Sequence, residues 1–263
     1  MTGELPAVVD VAWVAAHLGD DDLVLADVRG PNAHGRAHLP RSLPLVLGSP
    51  PPTSDRETLD AFASEVGLRL RRQGITGEER LVLYDGGDCV GAASSAQMAE
   101  LAGHPRVSVL AGGLAGWPGE VETGPVEPAK TKATFEPRPD AVPTRDELAA
   151  RLDDASLLIL DVRTPAEYSG EGGYPCDPRQ AHIPGARLLE HSRLFAGPGR
   201  PLPAAEVREL VGAPEGAEVV TYCHSGSRSA LATLALRAAG YRARNYPGSW
   251  HEWSRHPELP AER

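Results

Sequence analysis

Of the three cysteines, Cys89, Cys176 and Cys223, the last stands in the most informative context, VVTYCHSGSRSALATLAL over 219–236. A β-type run ends at Cys223, a short polar loop containing glycine follows, and a helix begins. That order puts the thiol at the C-terminal end of a parallel strand, where open α/β sheets bind their ligands. It also aims the free N–H groups of the loop and first helical turn toward the sulfur. The helix dipole and nearby Arg228 favour the thiolate, the nucleophilic form of cysteine. Gly226 suits the tight backbone path on which several N–H groups converge. Ser225 and Ser227 can donate hydrogen bonds to the sulfur or to substrate oxygens, and Ser229 is placed to cap the helix. The chemistry these residue types suggest is covalent catalysis by Cys223. A merely packed thiol would be poorly served by a polar loop and an arginine.

The elements that must position this cysteine are visible because the chain repeats itself. LVLADVRG (23–30) returns as LLILDVRT (157–164), and AHLPRS (37–42) as AHIPGA (181–186). LVLYDGG (81–87) returns as VVTYCHS (219–225), and GGLAGW (112–117) as GSWHEW (248–253). The offsets are 134 residues from Asp27 to Asp161, 138 from Asp85 to Cys223 and 136 from Trp117 to Trp253. Four landmarks in one order at nearly constant offset describe a duplication. In the second copy SLLILDV, AEVVTYC and YRARNYP read as strands. SALATLALRAAG reads as a helix ending at Gly240. The first copy repeats that order through LVLADV, LVLYDG, a helix around SSAQMAELAG, and RVSVLAG. Strands alternating with helices predict an α/β fold: two tandem domains, each a parallel sheet flanked by helices. Residues 118–143 are rich in Pro, Thr and charge without a sustained period, which predicts a surface linker stiffened by prolines. PTRDELAARL then predicts a helix capped by Thr144 with Glu147 three residues on. The predicted organisation is a first domain over 1–120, a linker over 121–140 and a second domain over 141–263.

Cys-His-Ser-Gly-Ser-Arg-Ser resembles the active-site loop of rhodanese-type sulfurtransferases, CxxGxRS in its commonest single-domain form. The strand-end DVR, the AHIPGA turn and the closing GSWHEW are similar to further landmarks of that family, in family order and once in each half. The resemblance implies that Cys223 takes a sulfane sulfur from a donor such as thiosulfate and carries it as a persulfide to cyanide or a thiol. It implies no cofactor. Arg163, in DVRT, matches an arginine that in two-domain members helps hold the anionic substrate; an ordinary ion pair with Asp161 is the alternative. Arg228 is expected to hold the loop and an anion, and His224 to face substrate. With Arg163, Arg228, His224, Ser225, Gly226 and Ser227 form the expected substrate-binding set around catalytic Cys223. The first copy departs at the decisive position, with Asp85 where the second has Cys223 and no arginine following. A carboxylate cannot carry a persulfide, so that domain is expected to be silent, in support of an active site at the domain interface as in the two-domain family. Cys89 is read as a packed thiol. Cys176, in the insertion EYSGEGGYPCDPRQ, is read as exposed, with a resolving thiol as the alternative. His38 and His182 occupy matching turns of both copies, which favours turn structure over catalysis.

Composition excludes several other classes. The net charge is −10 and no basic stripe occurs, which argues against nucleic acid. The run Arg69, Arg71 and Arg72 ends a predicted helix, where cations complement the dipole. No apolar run approaches the roughly 20 residues of a membrane span. The N-terminal residues lack a basic stretch before an apolar core, so a cytoplasmic protein is the expectation; the sequence does not give the oligomeric state, and a monomer is favoured. Three scattered cysteines offer neither a disulfide framework nor the ligand spacing of a structural zinc site, and no metal is expected. Rhodanese-fold cysteine phosphatases have five residues between Cys and Arg. Here Cys223 and Arg228 have four, a loop better sized for one sulfur. A sulfur relay without turnover of its own is the reading from another class. CHSGSRS matches neither the CRKGVT loop of thiosulfate enzymes nor the CGSGVT loop of 3-mercaptopyruvate enzymes. Glu167, rather than further arginines, follows DVR, which favours thiosulfate as donor.

Overall fold

The branched aliphatic runs of both copies become central strands because only a sheet covered on both faces buries them completely. The computed structural model describes residues 5–51, 53–129 and 131–263. Its strands are β1 (Val8–Val9), β2 (Leu23–Asp27), β3 (Leu43–Pro44), β4 (Arg80–Tyr84), β5 (Val107–Leu110), β6 (Leu157–Asp161), β7 (Arg187–Leu188), β8 (Phe195–Gly197), β9 (Arg200–Pro201), β10 (Glu218–Tyr222) and β11 (Arg242–Asn245). Its α-helices are α1 (Val11–His17), α2 (Pro31–Arg36), α3 (Arg56–Arg72), α4 (Val90–Leu101), α5 (Arg145–Ala149), α6 (Pro165–Ser169), α7 (Ala204–Val211), α8 (Ser227–Ala238) and α9 (Ser249–Trp253). The chain divides into two units. One comprises Met1–Ser49, Asp60–Pro139 and Gly197–Arg200, the other Pro50–Leu59, Asp140–Ala196 and Pro201–Arg263.

In the first unit the sheet order is β1-β5-β4-β2-β3, with every pairing parallel. Val9, Val14, Leu25, Leu39, Val82, Tyr84 and Leu110 form a buried cluster on this sheet. The proline-rich segment after Trp117 packs along the same unit rather than spanning open solvent. Arg138 N–H donates to Leu101 O at 2.8 Å, and a side chain at Gly67 would meet Phe135.

In the second unit the order is β11-β10-β6-β7, again parallel throughout. Leu160, Val162, Val219, Ala232, Ala235 and Leu236 build one core cluster, and Ile159, Val220, Tyr222, Tyr246, Trp250 and Trp253 another. Full burial of each large apolar side chain contributes about 1.5–3 kcal/mol, so these clusters fix β6 and β10 firmly. Thr144 caps α5 in a complete capping box with Glu147, as the sequence predicts. Thr164 and Glu167 do the same for α6, with Pro165 at the first helical position.

The duplication extends to hydrogen bonds. Tyr84 pairs with Asp27 across the first sheet, and Tyr222 with Asp161 across the second. The Tyr84 hydroxyl accepts Leu39 N–H at 3.1 Å, and the Tyr222 hydroxyl accepts Ile183 N–H at 3.1 Å. His38 and His182 each bond a main-chain carbonyl through Nδ1 and stack on a neighbouring ring, His34 and Tyr168 respectively. They are turn residues, as their presence in both copies implies. No helix among the described residues is long and apolar enough to cross a membrane.

Candidate active site

Strand β10 ends at Tyr222, and the next residue, Cys223, is 1% exposed at the mouth of the loop leading into α8. The loop is held at several points. Cys223 N–H donates to Ser249 Oγ at 3.1 Å, Trp250 N–H to Cys223 O at 3.0 Å, and His251 N–H to His224 O at 2.8 Å. Asn245 Nδ2 donates to Gly226 O at 2.8 Å. Gly226 has φ +86°, and a Cβ there would lie 2.5 Å from Pro247 O, so only glycine fits. This path turns Gly226 N–H onto Cys223 Sγ at 3.2 Å. The Ser229 hydroxyl stands 3.3 Å from the same sulfur and 3.1 Å from Gly226 O. It has one proton, and a charged sulfur is the stronger acceptor. The sulfur therefore sits at the N-terminus of a 12-residue helix with two donors aimed at it.

Ser229 is a correction to the sequence reading. It is the third residue of α8, the cap position belongs to Gly226, and its hydroxyl faces the sulfur. Ser225 is exposed and Ser227 half-buried, and neither hydroxyl bonds the sulfur among the described residues. The spacing Cys-x5-Ser could have pointed to Ser229, because the residue six beyond Cys223 returns to the loop after one helical turn.

The two arginines are engaged elsewhere. Arg228 grips Glu167 with both terminal nitrogens, at 2.9 and 2.7 Å. Burial pushes the Glu167 carboxyl up, but Arg228 and the Thr164 N–H more than offset it and hold the carboxyl at about 2. Glu167 in turn raises the Arg228 pKa, and the Cys223 sulfur adds to that rise. Arg228 thus lends its charge to the sulfur's surroundings while its hydrogen-bonding edge holds α6. Arg163 is 1% exposed; it forks onto Asp161 at 2.6–3.0 Å and donates to Ala181 O at 2.8 Å. Its guanidinium also lies over the rings of Tyr222 and Trp250. Arg29 makes the same fork onto Asp27 in the copy that lacks the cysteine. The arginine expected to bind substrate is a structural ion pair of the duplicated fold, because the DVR geometry buries it.

His224 does not stand free over the loop. Its Nε2 lies 3.2 Å from Asp177 Oδ2, and its ring stacks on Tyr174 with centroids 3.7 Å apart. Both partners come from the insertion between α6 and the AHIPGA turn. Cys176 is exposed, as expected, yet its sulfur is 4.0 Å from both His224 Nε2 and His251 Nδ1. The sequence spacing suggests no metal site, but folding brings Cys176, Asp177, His224 and His251 together.

In the first unit Asp85 takes the corresponding strand end. Its carboxylate accepts N–H bonds from Gly87, Cys89 and Ala92, at 2.9, 3.0 and 3.2 Å. Burial raises its pKa against those donors. The cradle that holds a sulfur in the second copy is here filled by the protein's own carboxylate. The loop is also one residue longer, since α4 begins five positions after Asp85 and α8 four after Cys223. Cys89 is buried with its Sγ on Leu110 O at 3.3 Å, and burial followed by the Asp85 charge pushes its thiol up to about 12. It is a packed thiol.

The rhodanese-like domain model matches residues 10–120 and again 144–256. A thiosulfate sulfurtransferase of Azotobacter vinelandii is 32% identical over 98% of this chain and 97% of its own. The mitochondrial thiosulfate/3-mercaptopyruvate sulfurtransferase 1 of Arabidopsis thaliana is 28% identical over 97% of this chain and 78% of its own. A solved structure described as a "probable thiosulfate sulfurtransferase" is 33% identical with a TM-score of 0.77, over 92% of this chain and 98% of that one. With its strand-end cysteine, its parallel sheets and its paired domain matches, the chain belongs to the rhodanese family of sulfurtransferases, with two rhodanese-like domains in tandem.

Proposed function

We propose that this sulfurtransferase takes its sulfur from thiosulfate and carries it as a persulfide on Cys223. The observation that carries the reading is the pair of donors, Gly226 N–H and Ser229 O–H, converging on Cys223 Sγ at 3.2 and 3.3 Å. Donors so placed stabilise a thiolate before reaction and a terminal persulfide charge after it. The thiolate attacks the outer sulfur of thiosulfate, and the sulfur–sulfur bond breaks with its electron pair leaving on sulfite. Cyanide or a thiolate then attacks the outer persulfide sulfur, and the electron pair of that bond returns to Cys223. Two half-reactions of this kind give ping-pong kinetics. The full-length likeness to a thiosulfate sulfurtransferase supports thiosulfate over 3-mercaptopyruvate. The four-residue gap between Cys223 and Arg228, with Arg228 turned onto Glu167, disfavours a phosphatase, which needs its arginine on the bound phosphate.

In the same reading residues 1–120 form a silent domain, 121–140 a linker and 141–263 the catalytic domain. Gly226 and Ser229 serve the sulfur, and His224, Ser225 and Ser227 face the donor. The protein works as a cytoplasmic monomer.

Thiocyanate formation from cyanide, with thiosulfate and 3-mercaptopyruvate as parallel donors, tests the proposal. Turnover with thiosulfate that vanishes in Cys223→Ser is expected. Folded protein that turns over neither donor would overturn it in favour of a sulfur relay that requires a protein partner.

A further inference from the structure

The four-residue cluster at the active-site loop is a second candidate site, and of its members only His224 has a part in the sulfur transfer proposed above. Its members come from three places in the second unit: Cys176 and Asp177 from the insertion, His224 from the loop and His251 from α9. One potential ligand atom from each lies within 4.8 Å of all the others. The closest pairs are His251 Nδ1 to Asp177 Oδ1 at 2.9 Å and His224 Nε2 to Asp177 Oδ2 at 3.2 Å. Cys176 Sγ is 3.9 Å from Asp177 Oδ1 and 4.0 Å from each imidazole nitrogen. In a tetrahedral zinc site, with Zn–N about 2.0–2.1 Å and Zn–S about 2.3 Å, ligand atoms lie roughly 3.3–3.6 Å apart. The His224–His251 pair lies within 4.8 Å, and the five separations above differ from those of zinc by about half an ångström. Rotation of the exposed Cys176 side chain closes the widest of them.

The cluster can satisfy only one of two close contacts at His251 Nδ1. His251 Nδ1 faces an acceptor, Asp177 Oδ1, and also a donor, Arg255 Nη1 at 3.0 Å. One ring nitrogen cannot donate to the first and accept from the second in a single tautomer. Arg255 Nη1 also donates to Asp177 Oδ1 at 3.1 Å, so a guanidinium supplies the positive charge beside a carboxylate that is 1% exposed. The Arg255 side chain is itself 38% exposed, and it also donates to Cys176 O and His251 O. A divalent cation at the centre would take the lone pairs of both imidazoles, the thiolate and the carboxylate together. It would also replace the charge that Arg255 now provides.

We infer that Cys176, Asp177, His224 and His251 form a binding site for a thiophilic divalent cation of the zinc class, with Arg255 as its built-in competitor. Borderline-soft zinc suits one sulfur, two imidazoles and one carboxylate. Because His224 follows Cys223 directly, occupancy pins the insertion to the active-site loop and immobilises the first side chain beyond the sulfur. The site therefore couples metal availability to sulfur transfer.

Titration of the reduced, full-length protein with Co2+ reads the site directly, since a cobalt–thiolate bond absorbs in the near ultraviolet and tetrahedral cobalt in the visible. One equivalent of Co2+ is expected to develop both bands, and Zn2+ to displace it. Cys223→Ser keeps the thiolate band and Cys176→Ser loses it. His251→Ala weakens binding by at least about tenfold. Arg255→Ala tightens it. Cys176→Ser with normal metal-free turnover shows that the loss is not misfolding. A band absent from wild type, or one lost in Cys223→Ser and kept in Cys176→Ser, overturns the assignment. An Arg255→Ala variant that binds more weakly overturns the competitor role.

Discussion

Replacing Glu167 with Gln isolates the ion pair that holds α6 to the active-site helix. In the folded protein Glu167 titrates at about 2 instead of the usual 4.5, chiefly because Arg228 and Thr164 outweigh its burial. At about 1.4 kcal/mol per pH unit, that difference corresponds to on the order of 3 kcal/mol of stability at pH 7. Glu167 is only 7% exposed, so solvent screening removes little of it. The sign follows from the depressed folded-state value. The contribution is complete above the unfolded value of 4.5 and is lost as pH falls toward 2. At pH 3 about 1.4 kcal/mol remains, so the difference between wild type and Glu167→Gln should shrink by about 2 kcal/mol between pH 7 and pH 3. Denaturant unfolding measures this, followed by tryptophan fluorescence in a Trp13→Phe, Trp117→Phe background. Emission then reports only Trp250 and Trp253, both fully buried in the second unit. Other carboxylates titrate equally in both proteins and cancel. A difference that is the same at pH 7 and pH 3 would refute the reasoning, because it would mean that Glu167 stabilises by packing alone.

The remaining predictions concern the sulfur and its neighbours. Ser229→Ala removes one of two donors to Cys223, and a hydrogen bond to a charged group is worth about 1.5–3 kcal/mol, so iodoacetamide alkylation of Cys223 at neutral pH should slow about tenfold or more; an unchanged rate would place the hydroxyl on Gly226 O instead. Arg163→Met leaves Asp161 buried without its partner and should cost about 3–5 kcal/mol in denaturant unfolding. The KM of the folded fraction for thiosulfate should stay unchanged, and a raised KM at normal stability would restore Arg163 as a substrate ligand.

How far the sequence reaches differs from element to element. The duplication, the parallel sheets and the strand-end position of Cys223 were legible because they depend on local pattern. Aliphatic runs of strand length, Gly226 at the loop and Thr144 with Glu147 at a helix start each encode their structure within a few residues. The departure of the first copy was legible for the same reason, since Asp85 stands where the second copy has Cys223. The roles of the arginines were not. DVRT reads equally well as an anion site or an ion pair. Only the fold, which buries Arg163 to 1% and supplies Asp161, Ala181, Tyr222 and Trp250 around it, decides for the ion pair. Arg228 likewise turns to Glu167, 61 residues away in the chain. The Cys176, Asp177, His224 and His251 cluster has no sequence signature, because its members are separated by 48 and 75 positions. Sequence by itself determined what repeats locally: the elements, their order and the strand end at which Cys223 stands. Tertiary structure decided where each charge is spent, because a long polar side chain settles on whichever buried partner folding brings within reach, and chain distance carries no record of that choice.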